Sequence, residues 1–175
     1  ENKTFNIKKN DNFNIGIINF GINNLQSVQN SLNKLGYSSS WIDKPDEVLK
    51  ADKLILPGIG SFGVAINNLK KKQLINPIIK KISNETPFLG ICLGMQLLFS
   101  KSFEHGEHKG LNVLDGIVEP IQKDENIKIP HIGWALLNKS TKESILLRNL
   151  KAEKSYFYFI HSFKVNSSNK NYTIH

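Results

Sequence analysis

The stretch Pro87-Phe-Leu-Gly-Ile-Cys-Leu-Gly-Met-Gln96 decides the fold of this chain. A short apolar run leads to Cys92, the only cysteine, which stands between Gly90 and Gly94, and Leu93 to Phe99 have the pattern of a helix that begins directly after it. In a strand-to-helix turn of the form G-x-nucleophile-x-G, the central side chain projects from the tip of the turn. The glycines are needed because the strand and the helix leave no room for a Cβ. The sequence therefore predicts a nucleophile elbow with Cys92 at its tip.

The alternative for Cys92 is an ordinary core position. A lone cysteine is most often a small buried hydrophobe. A core cysteine, however, does not require a glycine two residues away on each side, whereas a sharp elbow does. We therefore expect Cys92 to be a nucleophile.

Length and composition suit one globular domain in the cytoplasm. The 175 residues are 39% hydrophobic and 22% charged, no apolar run approaches the length of a bilayer span, and one cysteine cannot form an internal disulfide. The net charge of +8 comes almost entirely from lysine, with Arg148 the only arginine. Lys70-Lys71-Lys72 and Lys80-Lys81 lie at polar positions of amphipathic helices. Because nucleic-acid sites favour arginine and interleaved aromatic residues, we expect no nucleic-acid partner.

The order of apolar runs predicts an α/β protein. Residues 1–13 are polar and rich in Asn and Lys, so we expect a disordered lead-in to one domain at 14–175. Strands are predicted at 14–20, 38–42, 53–56 and just before Cys92, and helices at 25–35, 45–48, 65–71 and 77–82. This alternation implies an open, mostly parallel sheet with helices on both faces. Strands predicted at 116–120, 127–129 and 156–160 indicate a mixed or antiparallel C-terminal extension of the sheet.

A second glycine-rich turn, Pro57-Gly-Ile-Gly-Ser-Phe-Gly63, follows the strand at 53–56. It lacks the lysine of a phosphate-binding loop and does not match the dinucleotide-binding fingerprint, so we predict no nucleotide site there. A tight strand-to-helix turn alone would account for its composition. Beside a nucleophile elbow, such a turn also has a chemical use, because it can aim backbone N–H groups at an oxyanion.

Six blocks of the sequence resemble the class I (triad) glutamine amidotransferases, and within them the glutaminase branch that serves imidazole glycerol phosphate synthases of histidine biosynthesis. The blocks run in family order through roughly residues 14–164, at 18–25, 54–63, 90–99, 106–111, 130–134 and 156–162. Many glutaminases share the elbow. Pro130-His-Ile-Gly-Trp134 and Tyr156-Phe-Tyr-Phe-Ile-His-Ser162 are specific to this branch. The resemblance implies a flavodoxin-like α/β fold.

The resemblance also implies an activity, a partner and site residues. Glutamine would be hydrolysed to glutamate through a thioester on Cys92, and the ammonia would pass to a (β/α)8-barrel cyclase subunit in a heterodimer. Neither a metal nor an organic cofactor is implied. The oxyanion hole would use the N–H groups of Ile59 and Leu93, with Gly58 allowing the backbone geometry. The residues expected to contact glutamine are Gln96, His161, Ser162 and Phe163.

The catalytic base is the main departure from the family pattern. A glutaminase thiol needs a base, which in this family is a histidine oriented by a carboxylate in a downstream His-Pro-Glu motif. No such motif precedes the last residue, His175, which follows His161 too closely to replace the motif. We therefore expect the chain to be incomplete at its C-terminus, to lack the base and its carboxylate, and to be inactive alone.

Four histidines have alternative interpretations. His161 belongs either to the glutamine site or to an ordinary strand end, and His131 lies in a block that helps to shape the partner interface in the family. His105 and His108, together with nearby glutamates, resemble a metal cluster. They surround a glycine on a predicted loop, however, without the helical spacing of a zinc site, so we favour a solvated turn.

Two other functions are compatible with the sequence. Ala135 stands where the family usually has asparagine, and Asn19 and Asn23 stand where it has aspartate and glycine. Ala135 and Asn19 allow a paralogous glutaminase that serves a surface-sugar amidotransferase. The other alternative is a catalytically dead subunit that regulates a barrel partner, which the absence of a His-Pro-Glu motif beyond His175 would support. The intact Cys92, its flanking glycines and Gln96 favour an enzyme.

Overall fold

A parallel sheet presents the elbow at one of its edges. The computed structural model describes residues 13–123, 128–137, 145–147, 150 and 155–168. The predicted lead-in lies outside the described residues except for Phe13, whose ring centroid is 3.7 Å from Nζ of Lys53. Arg148 and His175 also lie outside them. No helix in the described part of the chain has the length and hydropathy of a membrane span.

Strands and helices alternate through the first half of the chain, as predicted. The strands of the sheet are β1 (Ile15–Ile18), β2 (Ser39–Ile42), β3 (Lys53–Gly58) and β4 (Phe88–Cys92). The helices between them are α1 (Leu25–Lys34), α2 (Pro45–Lys50), α3 (Phe62–Lys71) and α4 (Ile75–Ser83). A four-residue helix, α5 (Leu93–Gln96), follows β4 without a break.

The strands lie in the order β2-β1-β3-β4, and every neighbouring pair is parallel. The chain moves from β1 to one edge at β2 and then crosses to β3 and β4 on the other side. Because such crossovers are right-handed, α1 lies on one face and α2, α3 and α4 lie on the other. The predicted open parallel sheet with helices on both faces is confirmed. Cys92 ends the edge strand β4.

The core lies between the sheet and its helices. β1 is buried along its whole length, as the unbroken apolar run of a central parallel strand predicts. The largest fully buried side chains in this first half are Ile17, Ile18, Phe20, Leu54, Leu56, Phe62, Leu69, Leu74 and Ile78. Helix α1 begins after Asn24, whose side chain accepts a hydrogen bond from the Ser27 N–H at 3.3 Å. The helix predicted at 25–35 ends at Lys34, and Leu35, its C-cap residue, is 49% exposed.

The residues after α5 form two sheets of their own. The mixed sheet has the order β10-β7-β5-β6 and consists of β5 (Phe99–Ser102), β6 (His108–Lys109), β7 (Leu114–Pro120) and β10 (Phe163–Asn166). An antiparallel pair consists of β8 (His131–Leu136) and β9 (Tyr156–His161), and a short 3-10 helix covers Ile145–Leu147. The predicted mixed character is confirmed. These strands bond to one another, however, and do not extend the parallel sheet.

Two predicted elements differ from the structure. The helix predicted from Leu93 to Phe99 ends at Gln96, because the carbonyl groups of Leu97 and Leu98 accept hydrogen bonds from Leu111 and Val113 instead of from a further helical turn. Of the strand predicted at 127–129, residue 127 lies outside the described residues, and 128 and 129 belong to no strand. The strand begins instead at His131.

Candidate active site

Cys92 lies at the tip of the turn between β4 and α5. Its backbone has φ 54° and ψ −118°, a conformation that residues with a Cβ rarely adopt, and the residue is exposed. Such strain costs about 1–3 kcal/mol and persists only where the surroundings impose it. The thiol therefore stands at the carboxyl end of a parallel strand, which is where such sheets bind ligands.

The glycines on both sides of Cys92 allow the elbow to pack against the sheet. A Cβ on Gly94 would collide with the carbonyl group of Leu56 in β3, and a Cβ on Gly90 would lie 2.7 Å from Cα of Met95 in α5. Both obstacles are backbone atoms, which cannot rotate away. The predicted need for glycine at both positions is confirmed.

Gly58 brings the end of β3 close to the elbow. It is the register partner of Cys92, and a Cβ on it would lie 2.9 Å from the backbone N of Gly94 and 3.0 Å from Cβ of Leu93. Because Gly58 has no side chain, the first turn of α5 can approach β3. The glycine-rich turn at 57–63 consequently begins next to Cys92.

The N–H group of Ile59, in that turn, donates to the carbonyl oxygen of Ile22 at 3.4 Å. The loop at 21–24 that supplies this oxygen is anchored by Asn23, whose Nδ2 donates to the carbonyl oxygens of Ile18 at 2.9 Å and Pro57 at 3.3 Å. The Oδ1 atom of Asn23 is buried and has no hydrogen-bond partner within the described residues. In this conformation the Ile59 N–H is directed at the loop at 21–24.

A cleft of about 520 Å³ opens at the elbow. The predicted site residues that line it are Ile59, Cys92, Leu93, Gln96, His161, Ser162 and Phe163. The other lining residues are Gly60, Glu104, His105, Pro130 and Ile160. Gly58 is not part of the lining. Five parts of the chain thus meet at the cleft: the turn after β3, the elbow, the segment after β5, the residue before β8, and the end of β9 with the residues that follow it.

Gln96 and His161 meet at one carbonyl oxygen. The Nε2 atom of Gln96 donates to the oxygen of Phe163 at 3.4 Å, and Nδ1 of His161 lies 2.9 Å from the same oxygen. The other ring nitrogen of His161, Nε2, lies 3.2 Å from Nδ1 of His131. His161 therefore lies in the cleft, with partners for both ring nitrogens.

Glu104 is a residue of the cleft that the sequence did not predict. Its Oε2 accepts a hydrogen bond from the N–H of Phe62, the first residue of α3, at 2.5 Å. A carboxylate at a helix N-terminus is favoured by the helix dipole. The acidic and histidine residues around Gly106 were the available signal, but they suggested a metal site or a solvated turn.

The residues around Gly106 do not converge on a metal. Oε2 of Glu104 accepts the N–H of Phe62, and the ring of His108 packs against Gly63, where a Cβ would lie 2.6 Å from Cε1. In the part of the chain that the structure describes, no group of three or more His, Cys, Asp or Glu residues is placed to hold a metal ion.

The parallel sheet, the strained cysteine elbow and the adjoining cleft are consistent with one family. The family model described as "Glutamine amidotransferase class-I" matches residues 16–175. The chain therefore belongs to the class I glutamine amidotransferases.

Individual relatives place the chain more narrowly. It is 46% identical over 150 residues to "Imidazole glycerol phosphate synthase subunit HisH" of Aquifex aeolicus, which covers 85% of this chain and 70% of that protein. It is 39% identical over 157 residues to "Imidazole glycerol phosphate synthase hisHF, chloroplastic" of Arabidopsis thaliana, which covers 90% of this chain and 26% of that protein.

A solved structure described as a glutamine amidotransferase has a TM-score of 0.53 and 20% identity to this chain. The match covers 61% of this chain and 56% of that one. At this identity the likeness shows the fold alone.

Proposed function

We propose that the chain is the glutaminase subunit of an imidazole glycerol phosphate synthase. The Cys92 thiolate attacks the side-chain amide carbon of glutamine, the C–N bond breaks, and the nitrogen leaves as ammonia after it takes up a proton. Water then cleaves the thioester, which releases glutamate and regenerates the thiol. The observation that carries this proposal is the exposed Cys92 on a strained elbow that opens into a cleft.

The oxyanion of each tetrahedral intermediate would lie between the start of α5 and the end of β3. The Leu93 N–H is the first of α5, and Gly58 allows the close approach of the two elements. The Ile59 N–H would be the second donor, and it must first release the carbonyl oxygen of Ile22. Since one such donor is worth about 3–4 kcal/mol of barrier, turning this peptide would change the rate strongly.

The cleft offers complementary groups for the amino-acid end of glutamine. We assign contacts with the α-carboxylate and α-ammonium groups to Gln96 of α5 and to His161, Ser162 and Phe163 at and after the end of β9, all of which line the cleft. Glu104 adds a carboxylate on the same lining, and an ammonium group is its natural partner. Specificity for free glutamine would follow, because a glutamine residue within a peptide has no positively charged α-ammonium group.

The proton transfers need a base, and His161 is not free to serve as one. His161 lies in the cleft, but its ring nitrogens are engaged with Phe163 and His131. The family places its base in a His-Pro-Glu motif, and no histidine of the 175 residues is followed by Pro-Glu.

We propose that the partner is a barrel cyclase that consumes the ammonia. Ammonia must stay unprotonated on the way, which favours a closed interface over release into water. One face of the β8–β9 pair offers a surface for such a contact. Trp134 is 71% exposed on it and lies edge-on to Tyr158, with ring centroids 5.7 Å apart. The other exposed apolar side chains of this face are Ile132, Leu136, Tyr156 and Ile160.

The test is ammonia release from glutamine by the full-length gene product, measured with and without a cyclase subunit and alongside Cys92→Ser. We expect turnover that the cyclase stimulates and that the serine variant lacks. Equal activity in Cys92→Ser would show that the sulfur of Cys92 is not the nucleophile. Binding of a cyclase without any turnover would indicate a regulatory subunit, and stimulation only by a sugar-modifying synthase would indicate the paralogous pathway.

A further inference from the structure

His131 and His161 face each other across the β8–β9 pair. They are register partners, the ring centroids are 5.3 Å apart, and the ring planes are inclined by 71°. His131 contributes no atom to the lining of the cleft, whereas His161 does. We propose that His131 is a positioning residue for glutamine: it fixes the ring of His161, and through the Phe163 carbonyl it fixes the side chain of Gln96. This inference rests on the proposed glutaminase function.

The hydrogen bonds assign the protons of both rings. A carbonyl oxygen only accepts, so the 2.9 Å contact with Phe163 requires a proton on Nδ1 of His161. In the neutral ring, Nε2 of His161 is then an acceptor. The 3.2 Å contact with His131 therefore requires the proton on Nδ1 of His131. Both histidines carry the Nδ1–H tautomer, and donation runs from His131 to His161 to Phe163.

The Phe163 carbonyl oxygen links this pair to the elbow helix. It accepts from Nδ1 of His161 and, at 3.4 Å, from Nε2 of Gln96. Because the amide nitrogen of Gln96 is held there, its Oε1 keeps a defined direction as the acceptor that remains for a ligand. Gln96 lies one turn along α5 from the elbow, so the link reaches the residues beside the reacting sulfur.

The ring of His161, half-buried at the end of β9, has two other restraints besides His131. These are the hydrogen bond from Nδ1 to the Phe163 carbonyl and a tilted contact with the ring of Phe159, at 5.8 Å between centroids. His131 adds the hydrogen bond at Nε2, so that both ring nitrogens are held and the angle of the Nδ1–H to the Phe163 carbonyl is fixed from both sides of the ring. His131 is itself held by stacking on Phe159, with ring centroids 5.7 Å apart and planes inclined by 23°.

A first test reads the tautomers and does not depend on catalysis. Long-range 1H–15N correlation spectra of the full-length protein, recorded at neutral pH with histidine labelled, should show both His131 and His161 protonated at Nδ1. Protonation of either neutral ring at Nε2 would overturn the proposed link.

A second test separates glutamine binding from chemistry. His131→Phe keeps an aromatic ring but removes the donor, and it should raise KM for glutamine about fivefold to tenfold while kcat changes less than twofold. His131→Asn places an amide nitrogen where Nδ1 stood, and it should restore KM to within twofold of the wild type. Ala135→Ser, on the same face of β8 but away from both rings, is the matched control and should leave KM unchanged.

The outcomes distinguish the two proposals. A wild-type enzyme that hydrolyses glutamine, together with an unchanged KM in His131→Phe, would refute the positioning role alone. Equal impairment in His131→Asn and His131→Phe would refute it as well, since a merely structural role predicts that pattern. A wild-type protein that hydrolyses no glutamine with its cyclase present would refute the proposed function, whatever the tautomers are.

Discussion

Substitution of Gly94 by alanine tests the packing that holds the elbow in place. The added Cβ would overlap the carbonyl oxygen of Leu56, whereas real Cβ atoms essentially never approach a heavy atom closer than 3.0 Å. The start of α5 would have to move away from β3. Overpacking against atoms that cannot rotate lies at the upper end of the usual range, so we expect a loss of about 3 kcal/mol in the free energy of unfolding.

Gly36→Ala is the matched control for Gly94→Ala. Gly36 has φ +84°, and a Cβ there would meet nothing within 4 Å. Its only penalty is the left-handed backbone, which costs about 1–2 kcal/mol. The two variants therefore separate a steric collision from a conformational penalty.

Urea-induced unfolding monitored by circular dichroism measures both losses, and ammonia release from glutamine measures the effect on the site. A shift of about 1 Å in a reacting group can cost about 10²-fold in rate, so Gly94→Ala should lose at least that much kcat/KM even below its melting temperature. Gly36→Ala should keep its activity. If Gly94→Ala were as stable as Gly36→Ala and equally active, α5 would not pack as described.

Three further predictions concern other positions. Cys92→Gly should abolish glutamine hydrolysis yet raise the free energy of unfolding by about 1 kcal/mol, because it relieves the backbone strain at φ 54°. A loss of stability in denaturant titrations would show that the backbone of Cys92 is not strained. Glu104→Gln keeps an acceptor for the N–H of Phe62 and removes the charge, so it should raise KM for glutamine about tenfold with little change in melting temperature; an unchanged KM would exclude the ammonium contact. The hydrogen bond from Lys72, at 2.7 Å, holds the pKa of Asp43 below its ordinary value of 3.8, so the pair stabilises the protein above that pH and less as the pH falls through the lowered pKa. Both side chains are partly exposed, so Asp43→Asn should lower the free energy of unfolding by only about 0.5 kcal/mol at pH 7, and by nothing at a pH below the lowered pKa. A loss of stability that grew on acidification would contradict the lowered pKa of Asp43.

The elbow was predictable from the sequence because the constraint is local. Gly90, Cys92 and Gly94 lie within five residues, and the turn that presents Cys92 leaves no room for a side chain at either glycine. The alternation of strands and helices was predictable for a related reason, since buried parallel strands appear as short unbroken apolar runs.

The parts that were missed depend on contacts between distant residues. The partner of Glu104 is Phe62, which lies 42 positions earlier. The direction of the Ile59 N–H depends on Ile22, in the loop after β1. The end of α5 depends on Leu111, whose N–H donates a hydrogen bond to the carbonyl oxygen of Leu97. The periodicity of apolar residues reflects only residues that are close along the chain, so it could not predict these long-range hydrogen bonds.

The most direct test of the account is to trap the covalent intermediate on the cysteine. The full-length protein would be mixed with glutamine and quenched in acid within one turnover. It would then be digested, and the masses of its peptides would be measured by mass spectrometry. We expect an added mass equal to one glutamyl group on the peptide that contains Cys92, and no such addition when Cys92→Ser is treated in the same way. Rapid release of ammonia from a protein whose Cys92 peptide never gains that mass would contradict this expectation.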